Sequence, residues 1–253
     1  MKIHLSITYY FMRKIFLSAA VVLFSLSLFA QETPSSEKKK TVINLNGRAN
    51  DHLMIQLAKA GWSGKPDSIH TKGFSKSFNV YFLFDFPFKT NPHYSVAVGA
   101  GIGSDHVYFD KTYIGLKDVT SKLYFTNQAD TNHFKKTKLA TTYLEVPIEL
   151  RYTFHPENNA KSFKIALGAK IGTMLNAHTR SKNLVNKNNQ TISQYIQKEA
   201  SKRFFNGNRL VLSARAGWGH FSLYYSYQVG ILFRNLTAAE MHPYSIGLTL
   251  SGL

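Results

Sequence analysis

Residues 143–152 read YLEVPIELRY, and this stretch decides the class of fold. Apolar and polar residues alternate along it, and a period of two is typical of a β-strand because successive side chains leave opposite faces. A soluble sheet would expose the charged face to water, whereas a membrane barrel would turn that face into its lumen and the aliphatic face toward lipid. The aliphatic positions are Leu144, Val146, Ile148 and Leu150, and the charged positions are Glu145, Glu149 and Arg151.

The same alternation recurs in seven further segments of the chain. Together with residues 143–152 they predict an all-β protein of eight antiparallel strands, the smallest even number usual for an outer-membrane barrel. The further segments are 52–58, 77–86, 94–103, 162–175, 209–218, 220–229 and 244–251.

The connections between these segments are sorted by length. Short and long connections alternate strictly, as they do in up-and-down outer-membrane barrels with short periplasmic turns and long outer loops. A lipocalin-like barrel or a soluble sandwich is the alternative, but neither has a reason to sort its loops in this way. The long connections are Gly61–Lys76, Ser104–Thr142, Met174–Asn208 and Gly230–Pro243.

Aromatic residues cluster near the ends of the predicted strands. Their amphipathic rings suit the interface between lipid and water, although strand propensity alone explains some of them. The residues expected at the interface are Trp62, Phe86, Phe88, Tyr94, Tyr152, Trp218, Phe221, Phe233 and Tyr244.

The N-terminal residues predict export. A basic start at residues 12–14 precedes the apolar run 15–28, and Ala30 is the expected last residue before cleavage. A retained membrane helix is the alternative, but this run is shorter than the roughly 20 apolar residues that a span needs. Either Met1 or Met12 is the start of the chain. We expect a signal peptide at 1–30, a polar periplasmic tether at 31–50 and an outer-membrane β-barrel at 51–253.

The charged face of the strands predicts what fills the barrel. An eight-stranded barrel is just wide enough for its own side chains, and buried charges of both signs must be paired. We therefore predict a salt-bridged plug in preference to a polar conduit, with Glu145 opposite Lys170 and Arg151 opposite Lys164. The predicted lumen charge network is Asp85, Glu145, Glu149, Arg151, Lys164, Lys170 and Arg215, and Arg209, Tyr81, Tyr143 and Tyr224 accompany it.

No motif in the sequence predicts catalysis, a metal or a cofactor. The chain has no cysteine, so thiol chemistry is excluded. Residues 99–105, GAGIGSD, resemble a phosphate-binding loop, but no helix follows and the glycines are expected at lumen or bulge positions. Two Ser and His pairs lack an evident acid partner, so we expect no enzyme. They are His178 with Ser181 in an outer loop, and His220 with Ser222 on a lumen face.

The chain is strongly basic. Its net charge is +17, which becomes +14 when Lys2, Arg13 and Lys14 leave with the signal peptide. Outside a cell the natural counter-charge is anionic lipopolysaccharide or lipid headgroups and not nucleic acid, although a solvated loop is the alternative. The predicted basic outer loop consists of Arg180, Lys182, Lys187, Lys198, Lys202 and Arg203, opposed by Glu199 alone.

These features resemble the PorT-like, porin-family-like outer-membrane β-barrel family of Gram-negative bacteria. The resemblance implies an eight-stranded barrel and, for the name member, an association with a secretion system at the outer membrane. It transfers no functional residue, and the chain departs from a common barrel feature by ending in Leu253 instead of an aromatic residue. The similar runs are LFAQ at 28–31, VAVGAGIG at 96–103, TTYLEVPIELRY at 141–152, IALGAKIG at 165–172 and PYSIGLTLSGL at 243–253.

The sequence therefore predicts an integral outer-membrane barrel with a structural or interaction role, exercised through its outer loops or periplasmic turns. The expected partners are outer-membrane lipid, lipopolysaccharide and a protein of the cell envelope, the last with a link to secretion only by resemblance. A narrow porin-like pore for small solutes is the alternative, and a lipid-modifying enzyme is a more distant one.

Overall fold

The computed structural model describes residues 52–252, which belong to the unit Ile43–Leu253. The predicted signal peptide and tether, residues 1–50, lie outside the described residues. The described part of the chain is mostly β-structure, with a short 3-10 helix at Pro156–Lys161. It contains no helix with the length and apolar character needed to cross a membrane.

Eight antiparallel strands close into a ring, because each strand pairs with its two neighbours and the first pairs with the last. This confirms the prediction of an eight-stranded up-and-down barrel. The strands of the ring are β1 (Leu53–Ser63), β2 (Lys76–Pro87), β3 (Tyr94–Phe109), β6 (His133–Thr153), β7 (Phe163–Val185), β9 (Asn208–Trp218), β10 (Phe221–Gln228) and β11 (His242–Ser251). The remaining strands β4 (Thr112–Ile114), β5 (Phe125–Asn127) and β8 (Thr191–Ala200) lie in two of the long connections.

The outer surface of the ring is apolar and its inner surface is polar. On β7, Leu167 and Ile171 are 62 % and 61 % exposed, whereas Lys170 between them is 4 % exposed. On β6, Leu144 is 45 % exposed and its neighbour Glu145 is fully buried. A soluble sheet would bury the apolar side, so this inside-out arrangement is the one that suits lipid.

The strands are staggered around the ring. Following the hydrogen-bonded register from Leu53 on β1 through all eight strands returns to β1 near Ser63. A closed sheet with such a stagger has strands tilted against the barrel axis, and at eight strands its interior is only wide enough for side chains.

The two ends of the barrel differ. At one end, called here the turn end, the connections are residues 88–93, 154–162 and 219–220. At the other, called the loop end, they are residues 64–75, 110–132, 186–207 and 229–241. Short and long connections thus alternate around the ring, as the sequence predicts.

Four strands extend well beyond their predicted segments at the loop end, among them β1, which continues to Ser63. β3 continues to Phe109 and β6 begins at His133, so much of the predicted loop 104–142 is sheet. β7 continues to Val185 and forms a second hairpin with β8. The alternation persists in these extensions, but the outward residues become polar, and a search for outward aliphatic residues therefore ends too early.

The predicted register between β6 and β7 is wrong by two residues. Glu145 lies opposite Gly172 and Arg151 lies opposite Ala166, so neither faces the lysine expected for it. The 3-10 helix Pro156–Lys161 occupies the connection and moves its midpoint by one residue. Because partners on two antiparallel strands shift by twice that amount, every pair along the ladder changes.

Two inward-facing glycines mark places where neighbouring strands approach closely. A Cβ atom at Gly101 would lie 2.1 Å from the carbonyl oxygen of Val80, and one at Gly247 would lie 2.1 Å from that of Leu57. No real side chain tolerates this contact without movement of the backbone. Glycine at such points lets a sheet curve tightly around a narrow lumen.

We expect Gly247→Ala to lower the free energy of unfolding by about 1–3 kcal/mol, because the backbone at Leu57 and Ala58 must move. Gly207→Ala is the matched control, since a Cβ atom there meets nothing within 4 Å. Urea unfolding of the barrel in lipid vesicles measures both variants. Equal stability of the two would contradict the close approach of β1 and β11.

Candidate functional site

Arg209 on β9 is the centre of the charge cluster nearest the loop end of the lumen. Its Nε donates a hydrogen bond to Glu145 at 2.7 Å, and its NH1 donates one to Asp105 at 2.7 Å. The guanidinium also lies over the ring of Tyr143, 3.7 Å from its centroid. The sequence assigns Asp105 to an outer loop, and the structure corrects this because β3 continues through it.

Lys170 lies in the middle of the lumen among hydroxyl groups. Its Nζ donates to the hydroxyl of Tyr224 at 2.7 Å and to that of Tyr81 at 3.1 Å. The Tyr81 hydroxyl in turn donates to Glu145 at 2.5 Å. Lys170 therefore reaches Glu145 through Tyr81 and not by the direct pairing that the predicted register implies.

A second charge cluster lies toward the turn end. Glu149 accepts hydrogen bonds from Arg151 at 3.0 Å and from Arg215 at 3.0 Å. Arg151 also lies 3.5 Å from a carboxylate oxygen of Asp85. Lys164, near the start of β7, is likewise buried in the lumen.

The charges inside the barrel are nearly balanced. Lone ions would be costly in this space, and the ion pairs with their added hydrogen bonds offset that cost. A cavity of about 20 Å³ beside Lys170 and Arg209 is the size of a single water molecule. The inward carboxylates are Asp85, Asp105, Glu145 and Glu149, and the inward cations are Arg151, Lys164, Lys170, Arg209 and Arg215.

A hydrophobic cluster, called here the cap, fills the loop end above Tyr143. At its centre the Trp62 ring lies 5.5 Å from that of Phe109 and 5.9 Å from that of Phe233. All four long connections contribute to it. The buried members are Ile69, Val107, Phe109, Ile114, Leu116, Leu123, Leu139, Tyr143, Met174, Ala177, Phe204, Phe205, Leu232, Phe233 and Met241.

The cap corrects the assignment of two aromatic residues. Trp62 and Phe233 are predicted at the lipid interface, but both point into the cap, where Phe233 is 1 % exposed. Even-numbered residues of β1 face inward, and Trp62 continues this alternation into the level where the interior is apolar. Other predicted interface residues do face outward, among them Phe86, Trp218 and Phe221.

The six cations of the predicted basic outer loop separate in the structure. Arg180 and Lys182 on β7 and Lys198 on β8 face outward from one sheet, and Lys187 lies exposed between these strands. Arg203 instead donates to the carbonyl oxygens of Asp118 and Thr120, and Lys202 lies near that of Met174. The last two cations therefore connect the parts of the cap and do not belong to a common basic surface.

Residues 29–233 match the family described as outer membrane protein beta-barrel domain. The chain belongs to this family. Membership explains the apolar exterior and locates the protein in the outer membrane of Gram-negative bacteria.

No curated protein matches this outer-membrane barrel. A solved structure that aligns with it is that of Ail, the attachment invasion locus protein of Yersinia pestis, in complex with the heparin analogue sucrose octasulfate. The alignment covers 80% of this chain and 97% of Ail, at 13% identity and a TM-score of 0.34.

The Ser and His pairs of this outer-membrane barrel do not converge on a shared site. His178 contacts Asn176 on the outward side of β7, whereas Ser181 faces inward and contacts Thr137. His220 contacts the carbonyl oxygen of Ser251 at the turn end. Within residues 52–252 no group of three or more His, Cys, Asp or Glu side chains is placed to hold a metal ion.

We expect Arg209→Met to lower the free energy of unfolding by about 3–5 kcal/mol, because it leaves the buried Glu145 and the partly buried Asp105 carboxylates without their cation. Lys72→Met is the matched control, since it removes the cation of the exposed Lys72–Asp110 pair and should cost less than about 1 kcal/mol. Both values come from urea unfolding in vesicles. A similar cost for the two variants would show that the buried pair has no special weight.

Proposed function

We propose that this outer-membrane protein is a closed barrel that acts through its surface, with a structural or interaction role. The observation that carries the proposal is the filling of the lumen. Paired charges occupy it from Asp85 to Asp105, and the cap covers its loop end. A barrel whose interior is filled in this way has its outer surface and loops left for function.

The extended strands support an interaction role. β6, β7 and β8 continue as one sheet beyond the ring, which gives the loop end a rigid surface instead of mobile loops. On β8, Ile192, Tyr195 and Ile196 are exposed apolar residues at this level. Outer-membrane lipid, lipopolysaccharide and a protein of the cell envelope are the partners that such a surface fits.

The PorT-like resemblance belongs to the same proposal. The runs at 141–152 and 243–253 support a PorT-like member of the family, and by that resemblance the envelope partner belongs to a secretion machinery. A pull-down from detergent-solubilised native membranes tests this. Recovery of no secretion component with the wild-type barrel would remove the link to secretion and leave the closed barrel intact.

We expect no stable conductance across planar lipid bilayers, because ion pairs and tyrosines fill the lumen. The runner-up function, a narrow pore for small solutes, predicts a current instead. A reproducible ion-selective current that changes with Arg215→Ala or Lys170→Ala would favour the pore.

The orientation of the barrel is a second test. The single substitutions Lys187→Cys and Lys198→Cys measure the accessibility of the loop end. Lys89→Cys and Asn158→Cys measure that of the turn end. All four residues are exposed, and the chain has no native cysteine. With the loop end outside, a membrane-impermeant thiol reagent on intact cells should label positions 187 and 198 and spare 89 and 158. The reverse pattern would invert the topology.

A further inference from the structure

Cations face one another across three neighbouring strands on the outer surface of the extended sheet. Arg180 on β7 lies directly opposite Lys138 on β6 and also opposite Lys198 on β8. One step further from the barrel, Lys136 lies opposite Lys182. These five residues are called here the cation ladder. Lys136, Lys138, Arg180 and Lys182 also line a groove of about 310 Å³.

The cation ladder is a strained arrangement of charge. Like charges directly opposite one another destabilise a sheet. Within residues 52–252 no carboxylate lies within salt-bridge distance of any ladder side chain, and the nearby carboxylate of Asp105 faces inward onto Arg209. No carboxylate of these residues therefore offsets the repulsion, and the contact of Lys138 Nζ with the His106 ring at 3.3 Å adds no negative charge.

The pKa values of groups in and beside the ladder reflect its positive electrostatic potential. Burial and the facing charges of Arg180 and Lys182 lower the pKa of the Lys138 ammonium. Burial and neighbouring cations also lower the pKa values of His106 and His178, which flank the ladder on the side of the barrel. Both imidazoles thus resist protonation, first because they are partly buried and then because the surface beside them is positive.

The ladder is continuous with the lipid-facing surface. On β6 the outward residues are apolar from Leu150 to Leu144, then small or polar at Thr142 and Ala140, and then basic at Lys138. Lys138 is six residues beyond Leu144, which places it about 15 Å above the apolar band for a tilted strand. Ser104 and Thr142, which contact each other at 3.3 Å, form a neutral row between the two zones.

We propose that the cation ladder binds phosphate groups of the lipopolysaccharide molecules that surround the barrel. This rests on the proposed function, because it requires the loop end to face outward. Lipopolysaccharide carries phosphates on the sugars above its acyl chains, so a molecule packed against Leu144 and Ile171 presents them toward the ladder. Arg180 can take a phosphate in a two-pronged contact, and lysines on both sides add charge-assisted hydrogen bonds.

The height and position of the ladder favour a membrane-held anion over a soluble one. A soluble polyanion would be met best by cations at the exposed tips of the loops, such as Lys117, Lys122 and Lys187. The ladder instead lies on the side of the sheet, facing along the membrane surface. It therefore faces the neighbouring lipid headgroups, which are already held at high local concentration.

The test uses the full-length folded protein in detergent micelles, with lipopolysaccharide that keeps its phosphates and the same material after enzymatic dephosphorylation. The ladder variant is Lys138→Gln, Arg180→Gln and Lys182→Gln together. The matched control removes the same charge through Lys117→Gln, Lys122→Gln and Lys187→Gln. At about 1 kcal/mol for each charge near the surface, the ladder variant should bind phosphorylated lipopolysaccharide roughly hundredfold more weakly, and the control should bind like the wild type.

The wild type should bind the dephosphorylated lipopolysaccharide more weakly than the phosphorylated form, by a factor similar to that of the ladder variant. Its binding of the phosphorylated form should weaken with added salt. A folded barrel migrates differently on a denaturing gel before and after boiling, and this assay shows whether the ladder variant is folded. Unchanged binding of lipopolysaccharide by a folded ladder variant would overturn the proposal. Tighter binding of a soluble sulfated polysaccharide than of lipopolysaccharide at the ladder would overturn the choice of partner. A failure here leaves the orientation test unaffected, so the two can be separated.

A second measurement needs no variant. An amine-reactive reagent should modify Lys136, Lys138, Lys182 and Lys198 more slowly when phosphorylated lipopolysaccharide is present, as followed by peptide mass spectrometry. Lys117, Lys122 and Lys187 should react at the same rate with and without it. Equal protection of both sets, or of neither, would contradict a specific site at the ladder.

Discussion

The pairing of charges inside a barrel that its own side chains fill is the constraint on which the rest of the structure depends. Eight strands enclose a space that their own side chains fill, so each charge must find its partner among the other inward side chains. Arg209 joins β9 to β3 and β6, and Glu149 joins β6 to β9 through Arg215. These contacts hold the register of strands that are far apart in sequence, and the glycines at 101 and 247 provide the curvature that brings them within reach.

The polarity of the sheet reverses at the loop end. Below this level, apolar residues face outward to lipid and charges face the lumen. Above it, Lys138 and Arg180 face outward, while Leu139 and Ala177 on the same strands face the cap. Alternation thus serves two surroundings, since the medium outside the sheet changes from lipid to water while the strands continue. A bulge in β7 next to Met174 moves the inward positions from even-numbered residues, up to Met174, to odd-numbered residues such as Ala177 beyond it.

The reversal of sheet polarity at the loop end explains why the sequence predicts the membrane strands but not their extensions. The eight strands in the membrane, their faces and the inward charges other than Asp105 are readable, because outward apolar residues recur at every second position for at least three periods. The extensions of β3, β6 and β7 alternate equally well, but with polar residues outside, and their loop-like composition hides them. Cross-strand partners depend on turn geometry, so the pairing of Glu145 with Arg209 and the facing of Lys138 and Arg180 required the structure.

The cap has a consequence for the order of assembly. Its members come from all four long connections, so no hairpin can complete it alone, and it can close only after the last of these connections is in place. Contacts that form after the main barrier to folding have little effect on the folding rate. Because they must break before the barrel can unfold, they slow unfolding. The cap therefore contributes to kinetic stability: it lengthens the lifetime of the folded barrel more than it raises the folding rate.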